Sequence, residues 1–192
     1  MNTTSYPAIK AFEITLAEVE EADLPLIVKW RNHPENLPFM SKALPVSLHA
    51  LQIWLRKIRA DHSSLPFLVI LKNTPVAFME IKNIDWNNSC AEGGMFLFGS
   101  HLAGTGISLR AILSRELLLR KIGIDILISK INVNNEKSKN FCKSFGARYC
   151  GQEKNFEVYL SDAAMRLPCL KRYARVLKCE EEFLEKLAIQ TG

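Results

Sequence analysis

The chain has 192 residues, 48% of them hydrophobic and 23% charged, and its 25 Lys and Arg against 20 Asp and Glu leave a formal charge of +5. That is enough length and apolar content for a substantial core, so residues 1–192 are expected to form a single domain. No apolar run reaches the length of a membrane span, and Met1-Asn-Thr-Thr-Ser has no basic segment followed by an apolar one, so no membrane partner and a cytoplasmic location are expected. Five cysteines (Cys90, Cys142, Cys150, Cys169, Cys179) are an odd number without Cys-x-x-Cys spacing, and His33, His49, His62 and His101 form no ligand pattern with them. Reduced thiols and no metal are therefore expected. The basic residues are scattered, which argues against a nucleic-acid partner and suits an anionic small molecule.

In chain order, residues 12–16 alternate apolar and polar and read as a first strand after a loose N-terminal arm. Asp23 is placed to cap a helix with Pro25 in its first turn, and Pro34 ends that helix at Trp30-Arg31-Asn32-His33. Residues 37–45 read as a loop, after which Ser47 caps a second helix bearing Leu48, Leu51, Trp54, Leu55 and Ile58 at helical spacing. Strands are predicted at 66–71 and 76–85, joined as a hairpin through Lys72-Asn-Thr-Pro75, and then at 90–98. A long helix follows over 106–122, then a strand at 124–133 and a helix at 138–145. Strands are expected at 148–153 and 170–176, with an ambiguous segment between them through Ser161 to Pro168. The charged tail, about 178–190, reads as a helix with Phe183, Leu184 and Leu187 on one side, packed back on the domain or making a homodimer.

The stretch with the most to say is Phe96-Leu-Phe-Gly-Ser-His-Leu-Ala-Gly-Thr-Gly-Ile-Ser108, a strand that runs into a glycine turn and opens the long helix. Gly104 and Gly106 allow tight turning, and the first amides of a helix have no intrahelical acceptor, so the turn is an anion site suited to phosphate. It has neither the Gly-Lys-Ser/Thr of a P-loop nor the third glycine of a dinucleotide site. Residues 103–108 (Ala103, Gly104, Thr105, Gly106, Ile107, Ser108) instead resemble the coenzyme A pyrophosphate loop of the GNAT family of N-acetyltransferases, with Ala103 where Arg or Gln is usual and Ser108 where a small residue is. Downstream, Asn135-Glu-Lys-Ser138 and Lys143-Ser-Phe-Gly146-Ala147 resemble the family's following segment, with Ala147 replacing Phe.

The resemblance implies an α/β (α+β) fold, a mixed central sheet of about seven strands flanked by helices, with strands 4 and 5 (residues 90–98 and 124–133) splayed around acetyl-CoA. It implies that the main chain of Phe96 and Phe98 pairs with the pantetheine arm, and that Asn135 bonds the arm or caps the next helix. An amide near Phe98 would hold the oxyanion. The implied reaction is acetyl transfer from acetyl-CoA to a primary amine. Glu80, which interrupts the apolar run Val76-Ala-Phe-Met-Glu-Ile, is the candidate base, because apolar surroundings raise a carboxyl pKa; a solvent-facing residue or a partner for a buried Arg is its alternative. Cys142 occupies the place of the family's acid, Ser138 is a second candidate, and departure of the thiolate without an acid is a third option. Trp30-Arg31-Asn32-His33-Pro34, Phe39-Met40 and Ser47 with Trp54 resemble the members that N-acetylate nucleotide-linked 4-amino sugars, and the ribosomal-protein alanine acetyltransferase-like group. Leu51 stands where the former often have His. Arg31 and Lys82 would then meet a diphosphate, and Trp30, Phe39 and Met40 a sugar methyl or a base. The rival acceptors are a protein N-terminus or a small-molecule amine, and the rival to an enzyme is a non-catalytic acyl-CoA-binding module.

Overall fold

The structure, a computed structural model, describes residues 8–40 and 43–189. Most of the N-terminal arm, residues 41–42 of the predicted loop and the last residue of the tail lie outside the described residues. One eight-stranded mixed sheet runs in the order β1-β2-β3-β4-β5-β6-β8-β7, one strand more than expected. Its strands are β1 (Ile9–Ala11), β2 (Ile14–Glu18), β3 (Ser64–Leu71), β4 (Thr74–Asp85), β5 (Cys90–Leu97), β6 (Ile126–Asn132), β7 (Arg148–Glu153) and β8 (Phe156–Ser161). All neighbours are antiparallel except β5 and β6, which are parallel. Parallel strands need a crossover, and α3 (Ile107–Lys121) supplies it.

Local chemistry accounts for most element ends. The Ser47 side chain accepts from the Ala50 amide at 3.1 Å and starts α2 (Leu48–Asp61). Asn135 does the same for α4 (Glu136–Ser144), accepting from the Ser138 amide at 3.1 Å. Lys72 and Asn73, both at positive φ, turn the β3–β4 hairpin. The expected cap at Asp23 takes another form. No side chain caps α1 (Leu24–Arg31); Asp23 and Glu20 instead form a reciprocal capping box on the short 3-10 turn before it.

Two expectations fail. The predicted strand over 12–16 is broken, because Phe12 and Glu13 adopt positive φ and turn the chain between β1 and β2. Phe12 is nonetheless buried, against Phe183 at a ring distance of 6.0 Å. Residues 170–176 are not a strand either; they end α5 (Ala163–Val176), and β8 takes the closing place. Asp162 caps α5 through the Met165 amide at 2.7 Å, and Leu170 and Ala174, one turn apart, are buried. Pro168 lies inside this helix at the cost of one backbone bond. What holds the turn around it is Arg166, whose guanidinium bonds Glu116 at 2.8 Å and the carbonyls of Asp125 and Ser161 at 2.9 Å.

α1 and α2 cover one face of the sheet, with Leu24, Ile27, Leu51, Leu55 and Ile58 packed on Leu68, Phe78 and Phe98. α3 covers the other, with Ile107, Ala111, Leu118 and Leu119 against Met79, Ile81 and Leu127. The tail helix α6 (Glu180–Ile189) packs back beside α3 and α5 through Phe183 and Leu187, while Leu184 is exposed. Among the described residues no helix is long and apolar enough to cross a membrane.

Candidate active site

β5 and β6 pair over three residues only, Cys90 with Ile126, Ala91 with Leu127 and Glu92 with Ile128. Beyond that point β5 follows β4 up to Leu97, while β6 follows β8 up to Asn132. The two strands therefore diverge and leave a gap in the middle of the sheet. Its signature is burial: residues 92–97 and 128–132 belong to central strands, yet none of them is fully buried. Open strand edges leave backbone donors and acceptors that need partners.

Strand alternation decides which backbone groups face the gap. The Phe98 amide donates to the Val76 carbonyl at 2.8 Å, so Phe98, and by the two-residue period Phe96, direct their backbone groups to β4. The backbone groups that face the gap are therefore those of Gly93, Met95 and Leu97 and not, as expected, those of Phe96 and Phe98, and the Phe98 amide is already spent. Of these, the Leu97 carbonyl is taken by Asn36 Nδ2 at 3.1 Å. The side chains of Phe96 and Phe98 form an aromatic wall with Phe78 and Trp30; Trp30 stacks on Phe98 with ring centroids 5.8 Å apart and planes 6° from parallel.

At the open end of β5 the chain enters the glycine turn. Gly104 and Gly106 have φ of 78° and 84°, a conformation that favours glycine. Nothing lies within 4 Å of a Cβ built on Gly104. Among the described residues the amides of Gly104, Gly106, Ile107 and Ser108 have no backbone acceptor, and they lie at or just before the start of α3, its positive end. Ala103 and Thr105 are exposed beside them, and the Thr105 hydroxyl turns inward to the Leu102 carbonyl at 2.7 Å.

Glu80 sits on the α1/α2 face of β4, opposite Gly94, in line with Phe78 and Lys82. Loss of water raises its pKa; Lys82 and a hydrogen bond from Ser64 pull it down, and Glu92 pushes it up again. Lys82 itself pairs with Glu92 across the strands at 2.9 Å. The loop over 36–40 closes the mouth of this face: Asn36 reaches β5, and Asn132 of β6 donates to the Pro38 carbonyl at 3.4 Å. Phe39 at its end is exposed and Met40 half-buried. Arg31 braces the neighbouring segment through the Leu44 carbonyl at 3.0 Å, and burial lowers its pKa. On the opposite face, Cys142 of α4 approaches Ser129 of β6, and burial raises its thiol above the ordinary range. Ser138, a turn earlier, is half-buried.

This arrangement joins a splayed parallel pair to a helix N-terminus with free amides, and residues 16–160 match the family described as acetyltransferase (GNAT) domain. The chain belongs to the GNAT family. It is an acetyl-CoA-dependent N-acetyltransferase. It is 28% identical over 155 residues to the acetyltransferase PseH of Campylobacter jejuni subsp. jejuni, a match covering 81% of this chain and 90% of that protein. Its fold superposes on RimL, the ribosomal L7/L12 alpha-N-protein acetyltransferase solved with coenzyme A, with a TM-score of 0.69 at 14% identity, over 81% of this chain and 98% of the other. The TM-score is 0.68, again at 14% identity, with AAC(6')-Ib solved with acetyl-CoA, over 80% and 95% of the two chains.

Three features of this GNAT chain escaped the sequence. Asn32 pins the segment before α2, donating to the Val46 carbonyl at 2.8 Å and accepting from its amide at 2.9 Å. Glu35 holds the start of the glycine turn through the Ser100 amide and hydroxyl at 3.0 and 2.9 Å. Arg115 is buried under the gap. Only the last left a trace, since counting turns from Ile107 through Ala111 puts Arg115 on the apolar stripe of α3.

Proposed function

We infer that the chain transfers the acetyl group of acetyl-CoA to the primary amine of a nucleotide-linked amino sugar. The observation that carries this reading is the composition of the α1/α2 side: the carboxylate Glu80 with raised pKa, in line with Lys82 on β4, with Trp30 and Arg31 of α1 and Phe39 and Met40 of the segment after it on the same side of the sheet. That set suits an acceptor with an amine, an anionic diphosphate and an apolar sugar methyl. The similarity to PseH supports it.

In this reading the amides of Gly104, Gly106, Ile107 and Ser108 hold the pyrophosphate, and the pantetheine arm lies in the gap against the open edges of Gly93 and Met95. Ala103 and Thr105 border the pyrophosphate through their main chain. Asn135 and Ser138 stand at the β6 side. The acceptor ammonium gives a proton to Glu80, directly or through water, and the freed lone pair attacks the thioester carbon. The carbon–nitrogen bond forms, the nitrogen gives its second proton to solvent, the carbon–sulfur bond breaks with its electron pair on sulfur, and coenzyme A leaves.

The test is turnover of acetyl-CoA with a panel of amines: a nucleoside-diphosphate 4-amino-4,6-dideoxy sugar, a peptide with a free N-terminus, and an aminoglycoside. Release of coenzyme A and the acetylated product are followed by chromatography and mass spectrometry. The sugar nucleotide is expected to exceed the others in kcat/KM by about 100-fold, as buried polar recognition allows. Preference for the peptide or the aminoglycoside overturns the acceptor assignment, and binding of acetyl-CoA with no turnover supports the non-catalytic module.

A further inference from the structure

Arg115 projects from α3 on the same stripe as Ile107, Ala111 and Leu118, and only 9% of its surface is exposed. Its Nη1 lies 3.4 Å from the position of a Cβ on Gly93. Gly93 is the first residue of β5 past the last pairing with β6, so the guanidinium stands at the closed end of the gap, on the α3 side of the sheet. Among the described residues no counter-ion meets it there. The neighbouring acid, Glu116, is turned to Arg166 at 2.8 Å and to Arg120 at 3.3 Å. Among the described residues Nε of Arg115 has no hydrogen-bond partner. Burial, and then repulsion from Arg166, bring its pKa down to about 10 against the pull of Glu116, which acts on it without a hydrogen bond or ion pair, and this leaves it a cation at neutral pH.

Other titratable groups on this side do not neutralise it. Cys142 of α4 interacts with Arg115, and Tyr159 of β8 stands beyond Cys142; burial raises both, so each is uncharged near pH 7. Lys143, next to Cys142, adds positive charge. A buried ion without a partner is strongly disfavoured, and its position is accounted for by a negative charge that forms on a ligand in the gap. The two faces of the sheet assign that charge. Glu80, the base in the reading proposed above, lies on the α1/α2 face, so in that reading the amine approaches from there. The sulfur of the same tetrahedral intermediate is then turned to the opposite face, where Arg115 waits beside Cys142.

We propose that Arg115 receives the departing sulfur of acetyl-CoA, its guanidinium pairing with the coenzyme A thiolate as the carbon–sulfur bond breaks. This rests on acetyl-CoA lying in the gap, as proposed above. The electron pair of the broken bond stays on sulfur; of the two protons the ammonium loses, one is on Glu80 and the other passes to solvent as the amide forms, and the thiolate takes one back from solvent as it leaves, so no further reactant is needed. Cys142 is thereby relieved of the role of acid, for which its raised pKa makes it poorly suited.

The experiment is ultraviolet titration of the thiol of coenzyme A bound to the protein, with the complex of desulfo-coenzyme A subtracted to remove the five cysteines. In the wild-type complex the thiol is expected to titrate about one unit below free coenzyme A, and in Arg115→Gln to return to the free value. Arg115→Gln should lower kcat about 100-fold while the KM for acetyl-CoA stays within about threefold, and Arg115→Lys should recover most of the loss. Equal thiol pKa values in free and wild-type-bound coenzyme A overturn the proposal whether or not any variant folds. So does a wild-type preference for succinyl-CoA that reverses in Arg115→Gln, which would assign the cation to the acyl chain. Failure of wild type to bind coenzyme A at all defeats the acetyl-CoA reading of the gap itself.

Discussion

Replacing Glu80 by Gln keeps the side chain's size and removes its charge, which separates chemistry from packing. If Glu80 is the base, its loss removes about 100- to 10,000-fold in kcat/KM for the amine, or about 2.7–5.4 kcal/mol of barrier. The pH dependence has a definite sign. Burial raises the carboxyl pKa, so activity should fall with acidification through an acid limb above the value of a free Glu, about 4.3. In the Glu80→Gln variant that limb should vanish. The same shift acts on stability with the opposite benefit. A carboxyl whose folded pKa exceeds its unfolded value loses stability as pH rises from the unfolded pKa through the folded one. Glu80→Gln should therefore melt above wild type at neutral pH, and the difference should disappear near about pH 4. Rates come from coenzyme A release across pH, and stability from thermal melts at the same pH values. A variant within about threefold of wild type, or one that keeps the acid limb, refutes the assignment of Glu80 as base.

Gly104→Ala should fold, because the added Cβ meets nothing within 4 Å and the only intrinsic cost is the positive φ, about 1–2 kcal/mol. Its KM for acetyl-CoA should rise about tenfold, since a methyl group keeps the phosphate from the amides; an unchanged KM would move the pyrophosphate elsewhere. Glu116→Ala leaves Arg120 and Arg166 without their shared carboxylate and should cost about 3–5 kcal/mol, a fall in Tm of about 6–20 °C for a chain of this size. Gly146→Ala places a Cβ 2.5 Å from the Met165 carbonyl oxygen at a φ of 81°, so denaturant unfolding should show a loss of about 3 kcal/mol or more; a loss under about 1 kcal/mol would mean that α5 shifts freely.

The chain's local chemistry set what depends on a few neighbouring residues. Ser47 and Asn135 as helix caps, the Lys72–Asn73 turn, the glycine turn that opens α3 and the order strand, crossover helix, strand were all legible, because caps, positive φ and periodicity act within one or two turns of chain. Glu80 could be singled out for the same reason, as an acid inside an apolar run. Tertiary structure alone decided the rest. Residues 170–176 are apolar enough for a strand, and they became helix because Arg166 found Glu116, 50 residues away, and Leu170 and Ala174 found a core to enter. Phe12 reads as a strand residue and became a turn because its ring is held by Phe183 from the far end of the chain. Which backbone groups face the gap turned on a register between β4 and β5, and that turns those of Phe96 and Phe98 to β4 and leaves those of their neighbours open. The isolation of Arg115 was invisible for the same physical reason: a charge is known to lack a partner only once every element packed against it is in place.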